Sequence, residues 1–157
     1  MKYYFCINSP IGCLCLVEEN GCLCAVSFSR TCPDATEGKT PLLEKAAGQL
    51  GEYFGKTRRE FDLPLTPEGT DFQKKVWEAL KAIPYGETRS YAQIAAAAGN
   101  PKACRAVGGA NNKNPLPVII PCHRVIGADG SLTGYGGGLE IKRFLLNLER
   151  ENRRDGH

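Results

Sequence analysis

Ser90 to Ala110 reads SYAQIAAAAGNPKACRAVGGA. Ser90 is a suitable N-cap, 91–98 is alanine-rich and helix-forming, and Gly99 ends that helix before Asn100-Pro101 breaks the chain. A second helix follows from about Lys102 to Ala110. Two short helices joined by a tight glycine-containing turn make a helix-turn-helix, which assigns the second half of the chain to a helical domain. The flanks agree. Upstream, Thr70 followed three positions later by Gln73 is a capping-box pattern, and Phe72, Val76, Trp77, Leu80 and Ile83 form one apolar stripe that stops at Pro84, so a helix spans about 71–83. Downstream, Asn111 to Ile120 is a loop with two prolines running into an extended apolar segment, and Gly127 to Gly138 is a glycine-rich turn region. A final helix runs over 139–150 through Ile141, Phe144, Leu145 and Leu148.

The first half reads differently. Residues 3–8, 13–19 and 22–28 have the aromatic and β-branched content of short strands, and Asn20-Gly21 between the last two is a strong hairpin signal. Leu42, Leu43, Ala46, Leu50, Tyr53 and Phe54 recur at helical spacing, so 41–55 is an amphipathic helix able to cover one face of that sheet. Phe61, Leu63 and Leu65 alternate like another strand, after which Pro64, Pro67 and Gly69 interrupt regular structure. The fold class is therefore α+β, with a sheet-plus-helix domain over 1–66 and a helical domain over 67–157. No internal repeat is present.

With 157 residues, 42% of them hydrophobic, 24% charged and a net charge of +3, the chain has the apolar content of a globular protein and excludes a fibre or a disordered tail. Its apolar runs, Cys13 to Val17 and Val118 to Ile120 among them, fall far short of the roughly 20 residues of a bilayer helix. Residues 1–20 mix Lys2, Asn8, Pro10, Glu18 and Glu19 into apolar positions, unlike a secretory signal, which leads to an expectation of cytoplasmic location. Reduced thiols are then the default for the eight cysteines. Six of these, Cys6, Cys13, Cys15, Cys22, Cys24 and Cys32, fall in the first 32 residues, as small strand hydrophobes or, on a sharper reading, as a thiolate metal site. Charge is uneven: residues 1–70 carry 7 Lys/Arg against 9 Asp/Glu, and residues 71–157 carry 13 against 8. From Thr88 to Ala128 there are five cations, Arg89, Lys102, Arg105, Lys113 and Arg124, and no acid, which suits a polyanion as well as a set of scattered solvated charges.

The chemistry concentrates in Pro121-Cys122-His123-Arg124. A free thiol has a pKa near ~8.5 and needs a base or a positive neighbour to become a nucleophile at neutral pH. His123 can be that base. Neighbouring side chains on an extended segment point to opposite faces, however, so a turn or a bridging water has to intervene. The imidazole also needs an acceptor to fix its tautomer, and the last helix offers Glu140 and Glu149. Incidental adjacency of Cys and His is the alternative.

IPCHRV at 120–125, NPLP at 114–117, GYGGGLEIKRFLL at 134–146, Tyr85-Gly86, Ser90-Tyr91 and GNPKACRAVGGA at 99–110 together resemble the O6-alkylguanine-DNA alkyltransferases over most of residues 70–150. The first domain resembles that family only loosely, through Ser9-Pro10-Ile11-Gly12. The resemblance implies a small ribonuclease-H-like sheet-and-helix domain followed by a winged-helix-like one. It implies direct reversal of O6-alkylguanine damage in double-stranded DNA by irreversible transfer to Cys122 in one turnover, and leaves open whether O4-alkylthymine is a further substrate. His123 then deprotonates the thiol through a water, Glu149 orients the imidazole, and Tyr91 protonates the leaving guanine ring. The nucleotide rotates out of the duplex, and Arg105, on the second helix of the helix-turn-helix, fills the gap. Ser90, Ala106 and Gly109 lie in the expected DNA-contacting region, where a slim helix suits the minor groove, only about 6 Å wide. Asn114 braces the turn holding Cys122, the carbonyls of Cys122 and Val125 accept from the guanine amine, and the amides of Tyr135 and Gly136 approach O6.

Some relatives hold a structural zinc with cysteines and histidines in the first domain, but this chain has no histidine before residue 123, so no metal and no cofactor are expected. A monomer acting on DNA without a membrane is expected. The rivals are a non-enzymatic damage sensor, which in known cases lacks the nucleophile kept here as Cys122; a major-groove regulator, poorly served by the small residues of 106–110; and a Cys-His hydrolase, which would turn over repeatedly.

Overall fold

In the computed structural model, which describes residues 1–30, 32–132 and 138–155, the chain divides into two compact units, Met1–Glu68 and Gly69–His157. The first unit is built on a meander: β1 (Lys2–Ser9), β2 (Gly12–Glu19) and β3 (Cys22–Ser27) pair antiparallel in sequence order. The β2–β3 turn has positive φ at both Asn20 and Gly21, the conformation that matches the twist of the flanking strands. A two-residue strand, β4 (Thr36–Glu37), adds parallel to β1 and completes the sheet order β3-β2-β1-β4. Helix α1 (Pro41–Phe54) starts where Thr40 Oγ1 accepts from the Leu43 amide, and buries Leu43, Ala46, Leu50 and Tyr53. The buried strand residues include Leu14, Leu16, Leu23 and Val26.

Two sequence expectations change here. The segment 61–65 forms no strand: it touches the sheet through an isolated bridge between Leu23 and Leu65 and is otherwise tied by Gln49, whose side chain bonds both backbone groups of Asp62. Pro64 has no amide hydrogen to donate, so a ladder cannot propagate through it. The second change concerns the thiols. Cys6 and Cys15 are joined in a disulfide, because the β1–β2 register sets them directly opposite one another.

In the second unit α2 (Asp71–Lys81) opens with the full capping box, Thr70 and Gln73 each bonding the other's backbone amide, and buries Val76, Trp77 and Leu80. The chain then forms β5 (Arg89–Ser90), α3 (Tyr91–Ala97), α4 (Cys104–Asn112), a single 3-10 turn (Cys122–Arg124), β6 (Val125–Ile126) and α5 (Leu139–Asp155). β5 and β6 pair in parallel, Arg89 with Val125 and Ser90 with Ile126. Trp77, buried in α2, donates its indole N–H to the carbonyl of Ala110 at 2.9 Å and so holds the inner face of α4. On α5 the apolar stripe is incomplete: Leu145 and Leu148 are buried, whereas Phe144 stays exposed. Among the described residues no helix is long and apolar enough to cross a membrane.

Candidate active site

The segment leading to Cys122 is bent rather than extended, contrary to the sequence expectation. Pro117-Val118 forces a turn in which Val118 takes φ 74°, a conformation that costs a β-branched residue on the order of 1–3 kcal/mol. Asn114 holds that turn from two sides, donating to the carbonyl of Ile120 at 2.8 Å and accepting from the amide of Leu116 at 2.9 Å. The chain passes through Pro121 into the 3-10 turn, whose closing bond runs from the Arg124 amide to the Pro121 carbonyl. A tight turn swings successive side chains round one axis. With three residues per turn, neighbouring side chains stand about 120° apart instead of on opposite faces, and Cys122 and His123 are both buried.

His123 is fully buried, and its Nε2 lies 2.6 Å from Oε2 of Glu149 on α5. Of the two carboxylates offered by the sequence, Glu149 meets the ring, and Glu140 is exposed at the start of α5. Arg124, two residues from the thiol, grips the same carboxylate with both arms of its fork: Nε to Oε1 at 2.8 Å and Nη2 to Oε2 at 3.0 Å, while Nη1 donates to the carbonyl of Ile83. The amide of Gly86 also donates to Oε1. Burial alone would raise the Glu149 carboxyl, but His123 and Arg124 outweigh it and hold the group well below the usual carboxylate range. Burial lowers His123 below its ordinary value, with Glu149 opposing the drop. The resting pair is thus a neutral imidazole on an anionic carboxylate, and the lasting positive charge that keeps Glu149 ionised is that of Arg124. Nε2 carries the proton toward Glu149, which leaves Nδ1 as the ring's acceptor. Nδ1 is buried and has no hydrogen-bond partner among the described residues.

Two further polar groups close around the turn. Asn111, buried at the end of α4, donates to the carbonyl of Cys122 at 3.2 Å. Lys142, fully buried on α5, donates to the carbonyl of Val125 at 2.5 Å. Burial brings its ammonium down to about 8, the charge of the nearby Cys122 sulfur opposing the fall. The ammonium therefore remains mostly protonated at neutral pH, next to a thiol that gains from a positive neighbour. The two carbonyls expected from the resemblance to accept from a guanine amine each already accept one bond from the protein and keep a second lone pair.

Tyr91, the first residue of α3, is delivered to this region by the β5–β6 pairing. Ser90 caps α3: its Oγ accepts from the Gln93 amide at 3.1 Å and Gln93 returns a bond to the Ser90 amide at 2.8 Å, so the Ser90 hydroxyl hydrogen is left to donate elsewhere. On α4, Val107, Ala110 and Asn111 face inward, while Arg105, Ala106 and Gly109 share the exposed face. That face is slim. A Cβ built on Gly109 would meet nothing within 4 Å, and one on Gly108 would only touch the Tyr91 ring at 3.9 Å. Tyr135 and Gly136 lie outside the described residues.

Arg124, Asn111 and Lys142 were not singled out for this site from the sequence. Arg124 falls within the Pro121–Arg124 motif and among the five cations, but the sequence gives it no role of its own at the site; its place next to His123 is the signal that could have found it. No local pattern marks Asn111 or Lys142, whose roles depend on where α4 and α5 pack.

Residues 71–151 match the family described as "6-O-methylguanine DNA methyltransferase, DNA binding domain", and residues 2–67 match "6-O-methylguanine DNA methyltransferase, ribonuclease-like domain". A methylated-DNA–protein-cysteine methyltransferase of Methanosarcina acetivorans is 52% identical over 94% of this chain and 97% of its own length. The constitutive one of Bacillus subtilis is 50% identical over 96% of each. Among solved structures, the Mycobacterium tuberculosis O6-methylguanine methyltransferase superposes with a TM-score of 0.89 at 48% identity, covering 97% of this chain and 94% of that one. A structure of Mycobacterium tuberculosis OGT in complex with DNA also gives 0.89 at 48% identity, over 96% and 94% of the two chains. With a buried thiol-imidazole-carboxylate set at the turn and both halves of the chain matched, the protein belongs to the 6-O-methylguanine DNA methyltransferase family, the methylated-DNA–protein-cysteine methyltransferases, which repair DNA by moving an alkyl group onto a cysteine of their own.

Proposed function

We propose that Cys122 is the acceptor, and that this protein repairs O6-alkylguanine in double-stranded DNA. The observation that carries the reading is the buried His123–Glu149 contact at 2.6 Å beside Cys122, with Nδ1 left as a basic atom. His123 takes the thiol proton at Nδ1 through a water. The sulfur attacks the alkyl carbon in line with the carbon–O6 bond, a sulfur–carbon bond forms as that bond breaks, and the electron pair passes into the guanine ring. Tyr91 donates a proton to the ring nitrogen that becomes basic. The products are guanine and a thioether. A thioether carbon has no ready leaving path, so each molecule acts once. Lys142 favours the thiolate, and Arg124 keeps Glu149 in the charged form that orients the base.

The alkylated base reaches a buried thiol only when its nucleotide leaves the stack, at a cost of a few kcal/mol. The exposed face of Arg105, Ala106 and Gly109 supports entry of α4 into the minor groove, with Arg105 filling the gap and Ser90 contacting the backbone. Val125, Asn114, Tyr135 and Gly136 complete the pocket in this reading. The catalytic domain is residues 67–157 and the sheet domain 1–66; the protein works as a monomer in the cytoplasm.

Duplex DNA carrying labelled O6-methylguanine tests the proposal. Label should plateau near one equivalent per protein, on the peptide containing Cys122, and vanish in Cys122→Ala. Continued turnover, or label released to water, would overturn it.

A further inference from the structure

Strand register gathers three sulfurs in the first unit. Cys6 on β1 lies opposite Cys15 on β2, and Cys13 stands two residues before Cys15, so all three side chains leave one face of the sheet. Their sulfur atoms all fall within 4.8 Å of one another. Cys6 and Cys15 are joined here as a disulfide, and Cys13 is a free, half-buried thiol. A cross-strand disulfide needs two sulfurs. The third, aimed into the same place by backbone pairing, is what the bond leaves unexplained.

We propose that reduction of this disulfide opens a thiolate site for a soft monovalent cation, copper(I), bound by Cys6, Cys13 and Cys15. A dithiol reductant performs the opening: its two S–H groups become a disulfide and their hydrogens pass to Cys6 and Cys15. Copper(I) then displaces thiol protons and binds the sulfurs. The donor set selects the ion. Thiolates favour soft cations, and three sulfurs with no carboxylate or imidazole in the group suit a trigonal copper(I) ion. Zinc takes four ligands in structural sites, and the sequence of the first unit contains no histidine. The same sulfurs cannot form the disulfide and hold the ion, so occupancy follows redox state. The expectation of no metal rested on the missing histidines, and the register of β1 on β2 supplies a set of donors that does not use them.

The full chain, reduced with dithiothreitol and desalted without oxygen, is titrated with copper(I) against a chromogenic copper(I) chelator, then pulse-alkylated with N-ethylmaleimide and mapped by mass spectrometry. One equivalent of copper should slow alkylation of Cys6, Cys13 and Cys15 at least tenfold in the wild-type chain. Cys13→Ser should lower copper affinity at least tenfold with an unchanged circular dichroism spectrum, and Cys32→Ser should leave it unaltered. The oxidised chain should lack the site, and a tenfold excess of zinc should not displace the copper. The proposal fails if copper protects other cysteines in place of these three, if Cys32→Ser costs as much as Cys13→Ser, if the oxidised chain binds equally well, or if zinc displaces the ion. Because the alkylation map is read on the wild-type chain, misfolding of the variant cannot mask the outcome.

Discussion

At the scale of single residues, the site turns on one carboxylate. Glu149→Gln keeps the size of the side chain but removes the charge that orients His123, so the single-turnover rate on O6-methylguanine DNA should fall on the order of 10²-fold, read by label transfer under excess protein. The wild-type rate should rise with pH and level off, with its inflection below the ordinary 6.5 of a histidine because burial lowers His123. An inflection above 6.5 would contradict a dry, neutral imidazole. The same shifts set stability. His123 and Glu149 both have folded values below their unfolded ones, so the unfolded chain binds more protons as pH drops; stability erodes from about 6.5 downward through His123 and from about 4.5 downward through Glu149. Arg124→Met leaves Glu149 buried without its cation and should cost about 3–5 kcal/mol in urea denaturation. Cys122, His123 and Glu149 were legible as types of chemistry in a short motif and a nearby helix. The roles of Arg124, Asn111 and Lys142 were not, because a buried polar side chain is identified by what it touches, and those partners lie 11 to 41 residues away in sequence.

At the scale of elements, α4 separates folding from binding. Gly109 is exposed and a Cβ there meets nothing, so Gly109→Ala should stabilise the helix by about 0.5–1 kcal/mol in thermal or urea melts. If α4 enters a narrow groove, the same methyl should weaken duplex binding; unchanged affinity would argue against that docking. Ser90→Ala should cost about 1 kcal/mol through loss of the α3 cap. Helices and hairpin strands were legible because their signals are periodic or local: the stripe from Phe72 to Leu80, the Thr70–Gln73 box, Asn20-Gly21. What escaped was short and dependent on partners. β4, β5 and β6 have two residues each and exist only through parallel pairing with distant segments, so they leave no period to read. The 3-10 turn at Cys122 was hidden for a related reason: an apolar run before it reads as extended, while Val118 is bent into positive φ by the bonds around Asn114.

At the scale of the whole molecule, charge is segregated: the second half carries 13 Lys/Arg against 8 Asp/Glu and the first half 7 against 9. Duplex affinity should therefore depend on salt. With about three phosphates neutralised, a tenfold rise in salt should weaken binding by roughly 500-fold, measurable by fluorescence anisotropy on undamaged duplex. A flat response would remove the electrostatic part of the reading. The buried carboxylate constrains how such a protein can change. The Glu149 carboxylate takes hydrogens from Gly86, His123 and Arg124, so one side chain of α5 ties together two distant places in the chain. Adjusting the strength of the base and fastening the scaffold are consequently one knob. A mutational search for faster variants will find this position frozen, and any useful variation will accumulate on the rim that greets the damaged strand.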